Sequence, residues 1–372
     1  MTITRAWPGT RSATACAVAL LIAGAVYLAK GYAGLWLRVD LSDMGHRTIG
    51  LDYIRAGGTP YTVAHDAGPD APWGWLSNAF AYWPPSPWTR PYYGLLMLAT
   101  IALMAWWAYK AGARSSRADG VLFASAALAI SSICTVLGLG QNAFFVVGAL
   151  IGCLMLAERG HRLAAGLCLG LALAKPQIAA PFALPFLVRG EWLVLGAAAG
   201  YVAIALLLVC WAISQTPVVF IKGWLAYLGD APPWPGYGPY QMVIDAGVER
   251  DVALAATAIA VAAAGLVVIY LLRRQPLPVL FAIAAVTGRL WSYHQLYDNA
   301  MLVFLLIALG SLAARQHNWL TTTTFVAVGA TLWMPGRACD IVIFQLFQMA
   351  VWVIGTAVLA LGKDEGLRPS AS

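Results

Sequence analysis

The chain is 372 residues long, with 61% hydrophobic and 10% charged residues and a formal net charge of +7. Typical soluble domains carry about 45–50% apolar and about 25% charged residues, so the composition excludes a soluble enzyme and predicts a polytopic membrane protein. The excess of Lys and Arg is spread between apolar runs instead of gathered on one stripe, which argues against nucleic acid as a partner.

A membrane-spanning helix needs about 20 mostly apolar residues. Apolar segments fall at 13–29, 92–109, 119–137, 142–157, 163–174, 176–188, 193–214, 251–272, 277–288, 299–314, 320–335 and 340–361. The expected fold is therefore all-α, a single integral membrane domain of 10–12 membrane helices, the first an uncleaved span although Arg5 and Arg11 precede it as in a signal peptide. With a cytoplasmic N-terminus, thirteen of the 23 Lys and Arg face inward and ten outward, while five acidic residues, Asp119 among them, face inward and eleven outward. Short basic inner loops satisfy the positive-inside rule. Both termini are then cytoplasmic, in a plasma (inner) membrane.

The long loops 30–91, 215–250 and 287–298 lie outside in this arrangement and hold most of the carboxylates, prolines and tryptophans. Water-accessible chemistry is expected there. The segments 163–174 and 176–188 are too short to span cleanly, and Lys175-Pro176-Gln177 between them predicts a helical hairpin turning within the membrane, which needs protein or a watery cavity around it.

After the first span, DLSDMGHRTIGLDYIR is predicted to form an interfacial helix over 41–54, with Leu41, Met44, Leu51 and Ile54 as its apolar stripe and Asp43 and Arg47 on another face. Gly57, Gly58 and Pro60 end it. Its carboxylates read either as a general base for an acceptor hydroxyl or as solvating groups, Asp40, Asp43 and Asp52 pairing with Arg38, Arg47 and Arg55. GRLWSYHQLYD, residues 288–298, gathers Arg289, His294 and Asp298 with three aromatics, a combination suited to gripping a phosphate. Lys175, costly at membrane depth, reads as an anion ligand or as a snorkelling side chain. Trp73, Trp75, Phe80, Tyr82, Trp83, Trp88, Tyr92 and Tyr93 read as sugar-stacking surfaces or as an interfacial belt. Cys16, Cys134, Cys153, Cys168 and Cys210 lie in apolar runs, Cys339 lies near a loop, and no CxxC or metal-ligand spacing occurs, so neither thiol chemistry nor a metal or other cofactor is expected.

In order and spacing, the carboxylate after the first span, the turn Gly57-Gly58-Thr59-Pro60-Tyr61, Tyr82-Trp83-Pro84-Pro85, GQNAFFVVGAL and GLCLGLALAKPQ resemble glycosyltransferase family 87 over residues 36–300. The resemblance implies a C-type glycosyltransferase fold and an inverting transfer of a sugar, mannose or another hexose, from a polyprenyl-phosphate donor to a lipid or glycan acceptor on the external face. It places the catalytic aspartate at Asp43. Met44, Gly45, His46 and Arg47 follow where aromatic residues are usual, which keeps Asp40 open as the alternative base. The late external histidine of the family corresponds to His294 and its Lys-Pro pair to Lys175 and Pro176. Arg47, Lys175, Arg289 and His294 are the expected substrate-binding residues. The alternative reading is a polytopic transporter or flippase of lipid-linked glycans, against which stands the lack of an evident repeat.

Overall fold

The computed structural model describes residues 7, 10–37, 42–62, 70–82, 84–230, 238–336 and 341–362. Asp40, Trp83 and Cys339 lie outside the described residues. Among the described residues all regular structure is helical, as an apolar medium demands, since a helix satisfies its own backbone donors and acceptors.

The elements follow the predicted segments. They are α1 (Thr10–Leu37), α2 (Ser42–Arg55), α3 (Gly74–Ala81), α4 (Thr89–Gly112), α5 (Arg117–Leu128), α6 (Ser132–Leu139), α7 (Ala143–Glu158), α8 (Arg162–Ala172), α9 (Pro176–Ala179), α10 (Leu184–Arg189), α11 (Trp192–Ala212), α12 (Pro217–Asp230), α13 (Pro239–Asp245), α14 (Arg250–Leu271), α15 (Leu277–Leu290), α16 (Val303–Gln316), α17 (Trp319–Trp333) and α18 (Val342–Leu361). Three 3-10 turns, Pro60–Thr62, Ala180–Ala183 and Leu296–Leu302, complete the chain.

Each of the twelve predicted apolar segments forms helix among its described residues, 119–137 being broken between Leu128 and Ser132. Six membrane-spanning candidates among the described residues are long and apolar enough to cross a bilayer, and α5–α6, bent by 47°, makes a seventh if counted as one broken span. The protein is thus a multi-pass membrane protein whose remaining apolar helices, including α7, α8 and α15, are shorter than a full crossing. The span Leu296–Gln316 is 83% buried in the molecule, whereas the spans of α1, α11, α14 and α18 are mostly exposed on their flanks. The first is a core element, and the others present Leu, Ile and Val to the surroundings, as lipid-facing helices do.

The predicted hairpin at Lys175 is present as a break. α8 packs against α7 and α11, and α10 against α14, α15 and α11, so its two arms share α11 and otherwise diverge to different neighbours. The break is held from one side by α3. Trp73 Nε1 donates to the Leu173 carbonyl at 2.8 Å and Ser77 Oγ to that of Leu171 at 3.3 Å, while Gly74 sits so close that a Cβ there would lie 2.9 Å from the Ala174 oxygen.

Chain direction defines two ends. α4 and α7 start near Tyr93 and Asn142 and finish at Lys110 and Glu158, whereas α15 and α16 run the opposite way relative to each other, Arg289 and Val303 lying at one end and Leu277 and Arg315 at the other. The hydroxyl of Tyr93 donates to the Gln141 carbonyl at 2.6 Å, tying the starts of α4 and α7 together. The polar side chains described next converge on that end.

Candidate functional site

α2 packs through Met44, Arg47 and Leu51, all buried, at the 3–4 spacing of one helix face. The predicted stripe is therefore present at Met44 and Leu51, but Arg47 belongs to it instead of facing away with Asp43. A guanidinium tolerates this position because a carboxylate meets it there. Arg47 Nη2 donates to Asp70 Oδ1 at 3.3 Å, Nε lies 3.0 Å from Asp70 Oδ2, and Nη1 donates to the Asp43 backbone oxygen at 2.9 Å. Burial alone would lower the Arg47 pKa. The charge of Asp70, aided by Tyr82 and Asp43, outweighs it and raises the pKa further, so Arg47 is charged throughout.

From Asp70 the network continues inward. Asn78 Nδ2 donates to Asp70 Oδ2 at 3.0 Å, Asn142 Nδ2 donates to Asn78 Oδ1 at 2.9 Å, and the Tyr61 hydroxyl donates to the Asp70 carbonyl at 2.6 Å. Trp75, 1% exposed, donates to the Tyr61 oxygen at 2.9 Å. The loop aromatics thus divide. Trp75, Tyr82 and Tyr93 are interior packing, Tyr82 and Tyr93 stacking at 5.6 Å, whereas Phe80 and Trp88 remain exposed as a belt would be.

A second network begins one residue before Asn142. Lys175 Nζ donates to Gln141 Oε1 at 3.2 Å and to Asp298 Oδ1 at 3.1 Å, and stands 4.8 Å above the ring of Tyr297. Lys175 is buried, so it does not snorkel. The other oxygen of Asp298 accepts from the Gln295 backbone N–H at 3.1 Å and lies 3.2 Å from His294 Nδ1. Donating through Nδ1 leaves Nε2 of this fully buried imidazole without a hydrogen-bond partner among the described residues. Burial lowers the His294 pKa more than Asp298 raises it, so the ring is neutral near pH 7. Arg289, at the end of α15, donates from Nε to Asn299 Oδ1 at 2.5 Å and lies 5.4 Å from the Trp352 ring.

Gly140-Gln141-Asn142 joins the two networks. Gly140 adopts φ +70, and a Cβ there would lie 2.6 Å from Met44 Cβ. Only glycine meets both conditions without strain. Met44 is therefore seated beside Gln141, which brings its neighbour Asp43, in the first turn of α2, to the Lys175 cluster; Tyr297 lies within electrostatic reach of both Asp43 and Arg47. Asp43 is half-buried, and its carboxylate forms no hydrogen bond or ion pair with any described residue. Of the pairings considered for this helix, Asp52 with Arg55 is present at 2.8 Å on the exposed side.

The structure thus brings Asp43, Arg47, Lys175, Arg289 and His294 to one end of the molecule. Sequence reasoning missed Asp70, Asn78, Gln141 and Asn142, and placed Asp298 beside His294 without identifying it as the partner of Lys175. A signal for Gln141 and Asn142 was available, because two amides open the apolar run GQNAFFVVGAL, where a membrane segment has little use for them.

The site is thus a multi-pass helical bundle with a buried array of charges and amides at one end and a half-buried carboxylate beside it. The family model of glycosyltransferase family 87 matches residues 71–292, more than half of the chain, and the chain belongs to that family. The protein is therefore a membrane glycosyltransferase. Lys175 and Arg289 fall within the match, while Asp43, Arg47, His294 and Asp298 fall outside it. No curated protein matches the chain significantly.

Proposed function

We propose that the protein transfers a hexose, with mannose the first candidate, from a polyprenyl-phosphate donor to a lipid or glycan acceptor, using Asp43 as general base. The observation that carries this reading is the half-buried Asp43 carboxylate, uncommitted to any described partner, beside a cationic cluster whose own members are tied down. A base must keep a lone pair available for the proton it takes.

In the reaction, the acceptor oxygen attacks the anomeric carbon from the face opposite the phosphate. The bond from that carbon to the phosphate oxygen breaks, polyprenyl phosphate leaves with the electron pair, and the acceptor proton passes to Asp43. The configuration inverts. Phosphate is a good leaving group, so no general acid is required. Lys175 and Arg289 supply positive potential where charge develops on the phosphate. An arriving phosphate raises the His294 pKa, and the protonated Nε2 then donates to it. Arg47, pinned to Asp70, fixes the helix that carries Asp43. In this reading the site faces outward in the plasma membrane and both termini are cytoplasmic. A lipid-borne donor fits such a site, because nucleotide sugars stay in the cytoplasm.

The test is transfer of labelled sugar from a panel of polyprenyl-phosphate hexoses to a membrane lipid extract by the purified protein in nanodiscs. A labelled product made by the wild type and lost in Asp43→Asn supports donor class and base together. A product that survives the substitution moves the base to Asp40. No product from any donor overturns the donor class and makes transport of a lipid-linked glycan the next reading to test.

A further inference from the structure

The opposite end of the molecule carries a recess. A cavity of about 880 Å³ opens between α4, α7, α15 and α16, some 24 Å from the polar cluster if measured along α7 at about 1.5 Å per residue. Lys110, Arg114, Arg159 and Arg315 line it, with Glu158 as the one acidic lining residue. None of Lys110, Arg114 and Arg159 forms an ion pair with a described residue, so the cavity holds a surplus of positive charge. Its floor is apolar. Trp107 and Phe304 meet there with ring centroids 5.3 Å apart, and Trp106, 43% exposed, stands with Met155 among the lining residues.

A soluble anion has no use for the exposed indole of Trp106 and the partly buried thioether of Met155, and a zwitterionic headgroup does not neutralise surplus cations. A lipid with an anionic headgroup satisfies both, its phosphate among the cations and its glycerol and first methylenes on Trp106 and Met155. We infer that this cavity is a binding site for an anionic phospholipid of the leaflet at the basic end, separate from any sugar donor at the other end. Its position between four helices that also shape the candidate site makes the lipid a wedge between helix ends.

The test is native mass spectrometry of the full chain released from detergent with phosphatidylglycerol or phosphatidylcholine. The wild type is expected to retain phosphatidylglycerol at least about tenfold more tightly. Each cation near a lipid surface is worth about fivefold in affinity, so Arg114→Gln with Arg159→Gln should weaken phosphatidylglycerol about thirtyfold. The charge-matched Arg117→Gln with Arg274→Gln, both exposed and outside the cavity, should change it less than about threefold. Arg114→Lys with Arg159→Lys should hold the lipid, which separates lost charge from lost folding. Equal retention of the two lipids by the wild type, equal loss in the charge-matched control, or loss in the lysine variant overturns the site. Displacement of the lipid by equimolar glycerophosphoglycerol overturns the lipid as ligand in favour of a soluble phosphate ester.

Discussion

Two buried ion pairs stand at the same end of the molecule and are finished differently. Arg47–Asp70 spends its donors and acceptors on Asp43's backbone, Asn78 and, through Asn78, Asn142, so it fastens α2, α3 and α7 to one another. Lys175–Asp298 passes instead to His294, whose Nε2 has no partner, and borders Asp43, whose carboxylate has none among the described residues. Among the described residues the first network leaves Arg47 Nε, in ion-pair contact with Asp70, and Asn142 Oδ1 without hydrogen-bond partners but ties its charges between three helices, whereas the second leaves His294 Nε2 without a partner and stands beside an uncommitted carboxylate. That difference separates a frame from a site, although both are buried polar clusters of similar composition.

The largest expected effect falls on chemistry. Asp43→Asn should reduce transfer by about 10²–10⁴ while leaving the unfolding midpoint in detergent unchanged, because no ion pair is lost. Next, Asp298→Ala and Asp70→Ala should each destabilise by about 3–5 kcal/mol, since each strands a buried cation. Thermal unfolding checks this. The two networks should then part company when both partners become apolar. Arg47→Met with Asp70→Leu should regain most stability and keep transfer within about tenfold, whereas Lys175→Met with Asp298→Leu should regain stability without transfer. Equal recovery of transfer in both would dissolve the distinction drawn here.

Smaller effects sharpen it. Gly140→Ala should destabilise by about 1–3 kcal/mol, because a side chain at φ +70 would also press on Met44, and it should slow transfer by displacing Asp43. The pH response is smaller. The folded pKa of His294 lies below the ordinary value of about 6.5, so the unfolded chain binds the proton first as pH falls. Stability should decline as pH drops from about 6.5 towards the folded pKa and stay level above it, with His294→Gln flattening that decline in the unfolding midpoint. Asp52→Ala, which breaks an exposed pair, should change stability by less than about 0.5 kcal/mol.

Much of this was legible in the chain. The apolar segments became helices because a run of that length and composition has few other stable forms, and α2 was predicted within a residue at each end. Lys175, Arg289 and His294 stood out because charge in an apolar context is costly and therefore conspicuous. Their partners did not stand out. Asp298 lies 123 residues from Lys175 and Asp70 lies 23 from Arg47, and which carboxylate meets which cation depends on how helices pack across the bundle, a property local periodicity does not carry. For the same reason Arg47 was assigned to the wrong face of α2. Helical spacing allows the position on either side, and only the arrival of Asp70 makes the buried one favourable.

The most direct test of the central claim is to measure donor affinity and single-turnover transfer side by side in the wild type and Asp43→Asn. If Asp43 is the open base beside an intact donor grip, the variant binds polyprenyl-phosphate hexose within about threefold of the wild type and transfers its sugar at least about a hundredfold more slowly. Undiminished transfer, or a rate loss matched by an equal loss of donor binding, would contradict it.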